Sequence, residues 1–98
     1  MAEVIWTERA SAWLKDIHDY ISQDNPAAAD RTVTALQNKA SLLANFPELG
    51  SKYEGTRERN IRILLYGHYR IAYVIGDDET IGIVGVFHAA LDIEHYLF

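Results

Sequence analysis

The sequence predicts an α+β fold: an N-terminal β-strand, a two-helix antiparallel hairpin, then a curved antiparallel sheet, in the order β-α-α-β-β-β. Three observations lead there. Apolar residues recur at spacings of three and four from Ala10 to Leu43, the period of helices with one buried face. The pair Asn25–Pro26 interrupts that run. After about residue 60 the period drops to two, which is the signature of strands. Helical and strand segments that are segregated rather than alternating favour a layered α+β domain.

The first strand is the short "EVIW", Glu3 to Trp6. Thr7 stands where an N-cap belongs and Glu8 lies in the first turn, where a negative charge suits the helix dipole. Ala10, Trp13, Leu14, Ile17 and Ile21 then share one helical face, and the helix stops near "SQDNP". Asn25 caps the second helix and Pro26 takes its first position, where a missing N–H costs nothing. This helix runs to about Asn45 with Ala29, Val33, Leu36, Ala40 and Leu43 on its buried side. So short a link predicts an antiparallel hairpin.

"FPELG", Phe46 to Gly50, opens a loop that reaches roughly to Glu58. "NIRILLY" is the next strand, and Gly67–His68 is a tight turn. In "YRIAYVI", Tyr69, Ile71, Tyr73 and Ile75 point one way while Arg70, Ala72 and Val74 point the other. "GDDE" is a hairpin turn, with left-handed backbone expected at Gly76 and Asp77. "TIGIVGVFH" completes the meander, and its Gly82 and Gly85 suit a bulge or a close approach. The ending "LDIEHYLF" reads as a last turn or an added edge strand. The N-terminal strand must join this sheet, since alone it buries nothing.

Ninety-eight residues fit a single domain over 1–98. With 49% hydrophobic and 23% charged residues the composition is that of a folded soluble protein. No apolar run approaches the roughly 20 residues of a membrane span, and "MAEVIWTERA" has no signal-peptide pattern. Cysteine is absent, which excludes thiol chemistry and fits a cytoplasmic setting. The net charge of −5 argues against a dedicated nucleic-acid binder, because phosphate neutralisation dominates such binding. Even so, Arg57, Arg59, Arg62 and Arg70 are close in sequence, either as a solvated strand face or as a basic patch for an acidic target.

Several chemistries lack their signals. There is no phosphate-cradling glycine loop and no G-x-S-x-G nucleophile turn. His18, His68, His88 and His95 are scattered without zinc-site spacing, so no metal or cofactor is expected. His88, Asp92 and His95 would share a face only if the chain turned helical there. His18 beside Asp19 reads as surface decoration. Arg70 and His88 fall on adjacent antiparallel strands; with a turn centred at Asp77–Asp78, Arg70 lies opposite about Gly85 and His88 near Gly67 or His68. An arginine and a histidine could together stabilise a phosphorane-like charge and move a proton. Equally, they could be an ordinary strand face and strand end.

The run from "WTERASAWLKDIHDYI" through "NPAAA", "LLANFPELG", "YRIAYVI" and "VGVFHAALD" resembles the RelE/ParE superfamily, the toxins of bacterial type II toxin–antitoxin systems. The likeness covers nearly the whole chain in order and implies the same hairpin-and-sheet fold. It also implies two alternative activities. RelE-like and YoeB-like members are ribosome-dependent mRNA endoribonucleases, and the central-strand arginine and late histidine of YoeB-like members match Arg70 and His88. Their tyrosine falls on Ala89, Glu54 stands loosely for their acidic residue, and their lysine-rich surface is missing: Lys15, Lys39 and Lys52 are the only lysines.

ParE-like members poison DNA gyrase instead, and this chain resembles them in "NPAAA", "FPELG" and the late His88…Asp92 ending. An acidic chain suits a protein target better than a polyanionic one, so the ParE branch is preferred. The residues between His88 and Asp92 lack the basic side chain common in that branch, which leaves an inactive, antitoxin-binding relative as a third reading. On the resemblance, Arg57, Arg59, Arg62, Arg70, His88 and Asp92 are candidates for target binding. Trp13, Ile17 and Tyr20 are candidates for binding a cognate antitoxin, ParD-like or another small DNA-binding protein. Operator DNA would be reached only through that antitoxin, and growth arrest and plasmid stabilisation are the implied roles.

Overall fold

The computed structural model describes residues 2–53 and 60–88. Their elements are β1 (Val4–Trp6), α1 (Glu8–Ser22), α2 (Pro26–Ser41), a 3-10 turn (Leu42–Ala44), β2 (Ser51–Lys52), β3 (Ile61–Tyr66), β4 (Tyr69–Ile75) and β5 (Ile81–His88). Together they form two helices against a five-stranded sheet of order β1-β5-β4-β3-β2.

Capping explains where the helices start. The Thr7 side chain accepts from the Ala10 amide, and that of Asn25 accepts from the Ala28 amide. Each such cap is worth about 1 kcal/mol. α2 stops earlier than its apolar pattern implies: the pattern continues through the 3-10 turn, so Leu43 is buried although it is no longer α-helical.

The sheet is antiparallel except at one edge. β3, β4 and β5 form the expected meander, while β1 pairs parallel to β5, with Val4 opposite Ile81 and Trp6 opposite Ile83. The helical hairpin and three strands lie between β1 and β5 in the chain, the long connection that a parallel pair requires. β2 is a two-residue strand paired to β3 within the segment expected to be loop.

Two features set the register of β4 on β5. The turn keeps its reversed backbone at Glu79 (φ 67°), not at Gly76 or Asp77. The Gly76 amide donates to the Thr80 carbonyl and the Glu79 amide to the Gly76 carbonyl, a type I turn followed by one left-handed residue. A bulge follows, because Ala72 faces Gly85 but Tyr73 faces Ile83, leaving Val84 extra. Hence Arg70 lies opposite Phe87, not Gly85, and His88 opposite Tyr69, not Gly67 or His68.

Both sheet faces are apolar. Under the helices, Ile71, Tyr73, Ile81, Ile83 and Val86 pack with Ala10, Leu14, Leu36, Ala40 and Leu43. On the other face Ile61, Ala72 and Phe87 are buried among Ile63, Val74 and Val84. Trp13 reaches from α1 to this second cluster, its ring 5.2 Å from that of Phe87. The Phe87 ring lies over Gly85, where an added Cβ would sit 2.5 Å from it.

The "FPELG" loop is tied down by one buried phenol. The Tyr73 hydroxyl donates to the Pro47 carbonyl (2.7 Å) and accepts from the Gly50 amide (2.9 Å). Burial of that hydroxyl is the main cause raising its pKa above the ordinary tyrosine value of 10.0. Gly50 is required here, since a Cβ would come within 2.7 Å of the Tyr73 ring and 2.8 Å of the Ile63 carbonyl oxygen.

Candidate functional site

An open groove of about 530 Å³ lies between α1 and the ends of β4 and β5. α1 contributes Trp13, Asp16, Ile17 and Tyr20. These stand at positions i, i+3, i+4 and i+7, one stripe of the helix surface. The sheet contributes Tyr69, Val86 and His88. Tyr20 is 76% exposed, so its phenol is a free-standing wall rather than core.

This floor depends on the Val84 bulge. Ile81 and Ile83 already face the helices, and strict alternation would send Gly85 and Phe87 to that side. The extra residue reverses the phase, so Val86 and His88 face the groove and Phe87 turns to the opposite face. His88 sits edge-on to Tyr69 (ring centroids 5.7 Å) and stacks near His68 (6.0 Å).

The residues singled out from sequence divide clearly. Trp13, Ile17 and Tyr20, expected to receive an antitoxin, come together in the groove with His88. Arg70 does not join them. It neighbours Tyr69 along β4 and pairs with Phe87, so it projects from the far face while His88 projects from the groove face. Arg62 is turned inward: its guanidinium donates to the carbonyls of Gly50 and Glu48, and its buried Nε has no hydrogen-bond partner among the described residues. It therefore braces the "FPELG" loop instead of presenting a free charge. Arg57, Arg59 and Asp92 lie outside the described residues, as do Glu54, Ala89 and His95.

His18 is more than decoration. Its Nε2 lies 2.7 Å from the Asp30 carboxylate, which links α1 to α2 across the hairpin. Among the described residues no three metal-ligating side chains converge, and no helix is long and apolar enough to cross a membrane. Sequence reading missed Asp16. Its place one helical turn from Trp13 and Tyr20 was the available signal.

Two helices over a five-stranded mixed sheet make the fold of solved RelE/ParE toxins. A chain of the toxin–antitoxin complex RelBE2 from Mycobacterium tuberculosis superposes with a TM-score of 0.67 at 25% identity, covering 89% of this chain and 96% of that one. A chain of the chromosomal ParDE system of P. aeruginosa has the same fold, with a TM-score of 0.73 at 20% identity over 90% and 96% of the two chains. Residues 4–93 match the ParE toxin family of type II toxin–antitoxin systems, and the chain belongs to that family. Among its relatives is the Toxin RelE2 of Caulobacter vibrioides, 39% identical over 90 residues, which are 92% of this chain and 98% of that protein. Another is the putative toxin Y4kP of Sinorhizobium fredii, 36% identical over 86 residues, covering 86% of this chain and 84% of that protein.

Proposed function

We propose that this toxin acts in the cytoplasm by gripping a protein target, DNA gyrase, and that a cognate antitoxin neutralises it by occupying the α1 groove. The observation that carries the non-catalytic reading is the placement of Arg70 and His88 on opposite faces of the sheet. Side chains that leave the sheet on opposite faces are poorly placed to act on one phosphate, since general acid–base work needs both within hydrogen-bond reach of the reacting atoms. The match to ParE toxins over residues 4–93 and the net charge of −5 support a protein target over an mRNA track. For the antitoxin, support comes from the exposed aromatic and aliphatic lining of the groove, which suits an amphipathic segment laid along it.

The direct test is a supercoiling assay with purified gyrase, run beside a translating extract in which transcripts are mapped for cuts. Inhibited supercoiling with intact transcripts is the expected pair of results. A second reading, ribosome-dependent endoribonuclease, has in its favour the 39% identity to a toxin of RelE name. Cut transcripts with unaffected gyrase would select it and end the first. If neither activity occurs and expression is harmless, the chain is an antitoxin-binding relative without a lethal action.

A further inference from the structure

We propose that Asp16 chooses the occupant of the groove, by pairing with an arginine or lysine that is flanked by aliphatic side chains on the same partner segment. This rests on the reading of the groove as the antitoxin's seat, and adds to it the chemistry by which one partner is distinguished from another.

The lining carries the argument. Among the described residues of the lining, Trp13, Tyr20, Tyr69 and His88 supply four rings, Ile17 and Val86 an aliphatic floor, and Asp16 the one carboxylate. Ring faces attract cations through their quadrupole, and a carboxylate at the rim adds a full charge. A guanidinium satisfies both at once, stacking on a ring while forking onto the carboxylate. Asp16 is available for this. The neighbouring Lys15 ammonium is hydrogen-bonded to Asp19 at 3.0 Å, and the Asp16 carboxylate makes no hydrogen bond or ion pair among the described residues. The net charge of −5 favours a basic partner at longer range as well. An acidic segment of the same apolar content would meet Asp16 with like charge, so the groove discriminates by repulsion as well as attraction.

A display library of random 12-residue peptides, panned on the immobilised toxin and on two variants, tests this. Asp16 and Tyr20 are both exposed, so Asp16→Lys and Tyr20→Ala should fold, which circular dichroism checks. The wild type is expected to enrich peptides pairing a basic residue with aliphatic neighbours, and Asp16→Lys to enrich acidic residues in that place. Peptides selected on the wild type should bind Asp16→Lys and Tyr20→Ala about tenfold or more weakly. If selected peptides lose affinity for Tyr20→Ala but show no charge preference and ignore Asp16→Lys, the role of Asp16 is refuted while the groove remains a seat. If no peptide is enriched, or Tyr20→Ala binds every one as well as the wild type, the groove itself is not the docking surface and both readings fall.

Discussion

Tyr69 and His88 stand directly opposite each other on β4 and β5, rings edge-on at 5.7 Å, and this pairing sends Arg70 to the far side of the sheet. The two residues most suggestive of chemistry therefore address different surfaces. His88 lines the groove with Trp13, Ile17 and Tyr20, while Arg70 faces the side where Phe87 is buried.

Separate surfaces imply separable phenotypes. His88→Ala should weaken antitoxin binding several-fold, whereas Arg70→Ala should leave it within about twofold, because a residue outside the contact surface changes little. Calorimetric titration of each variant with the antitoxin reads this. Equal losses in the two variants would contradict the geometry.

Gly50 fills a space that admits no side chain. Gly50→Ala forces a Cβ against the Tyr73 ring and the Ile63 carbonyl, at 2.7 and 2.8 Å. Overpacking of this kind costs about 1–3 kcal/mol. Tyr73→Phe removes the partner of both the Gly50 amide and the Pro47 carbonyl, at about 1–3 kcal/mol for groups left unsatisfied. Urea unfolding followed by tryptophan fluorescence measures both. A midpoint unchanged in either variant would mean the loop is not anchored there.

Tyr73 also sets an alkaline limit. Its pKa is raised in the folded protein, chiefly by burial, so the native state favours the neutral phenol more than the unfolded chain does. The resulting stability is fully present below the unfolded value of 10.0 and is lost as pH rises through the higher folded value. Thermal melts above pH 10 should fall less steeply in Tyr73→Phe than in the wild type. Parallel curves would show that the phenol does not control that limb.

The β4–β5 turn holds one non-glycine residue in left-handed backbone, Glu79 at φ 67°. That conformation costs an L-residue roughly 1–2 kcal/mol. Glu79→Gly should therefore stabilise the protein, by up to about 1 kcal/mol after the added unfolded-state entropy of glycine. Differential scanning calorimetry should find a higher Tm. A lower one would mean that the Glu79 side chain contributes more than its backbone costs.

Much of the fold was legible because its causes are local. The Thr7 and Asn25 caps, the Pro26 start and the buried stripe from Ala29 to Leu43 follow from side-chain chemistry at fixed spacings. Alternation in β4 was legible too: Ile71 and Tyr73 pack beneath the helices and Ala72 on the other face. What the pattern hid was phase. The turn adds one residue to the register and Val84 adds another, and neither insertion leaves a mark in hydrophobicity. Gly85 hinted at the irregularity without saying which neighbour would be extra. With the observed turn but no bulge, Arg70 would face Val86 and share its side with His88, so a single extra valine separates the two. The role of Arg62 was hidden for a related reason. A guanidinium among strand residues reads as surface charge until the loop carbonyls it holds are known.

β1 closes against β5, and Thr7 donates both its amide and its hydroxyl to the Ile83 carbonyl, 76 positions away along the chain. A nascent polypeptide leaving the ribosome thus carries β1 with no mate until β5 has been translated. The helices can meet early, but the sheet edge that anchors the start of α1 must wait for β5. Premature termination anywhere before Ile83 would release a hairpin that never acquires its groove.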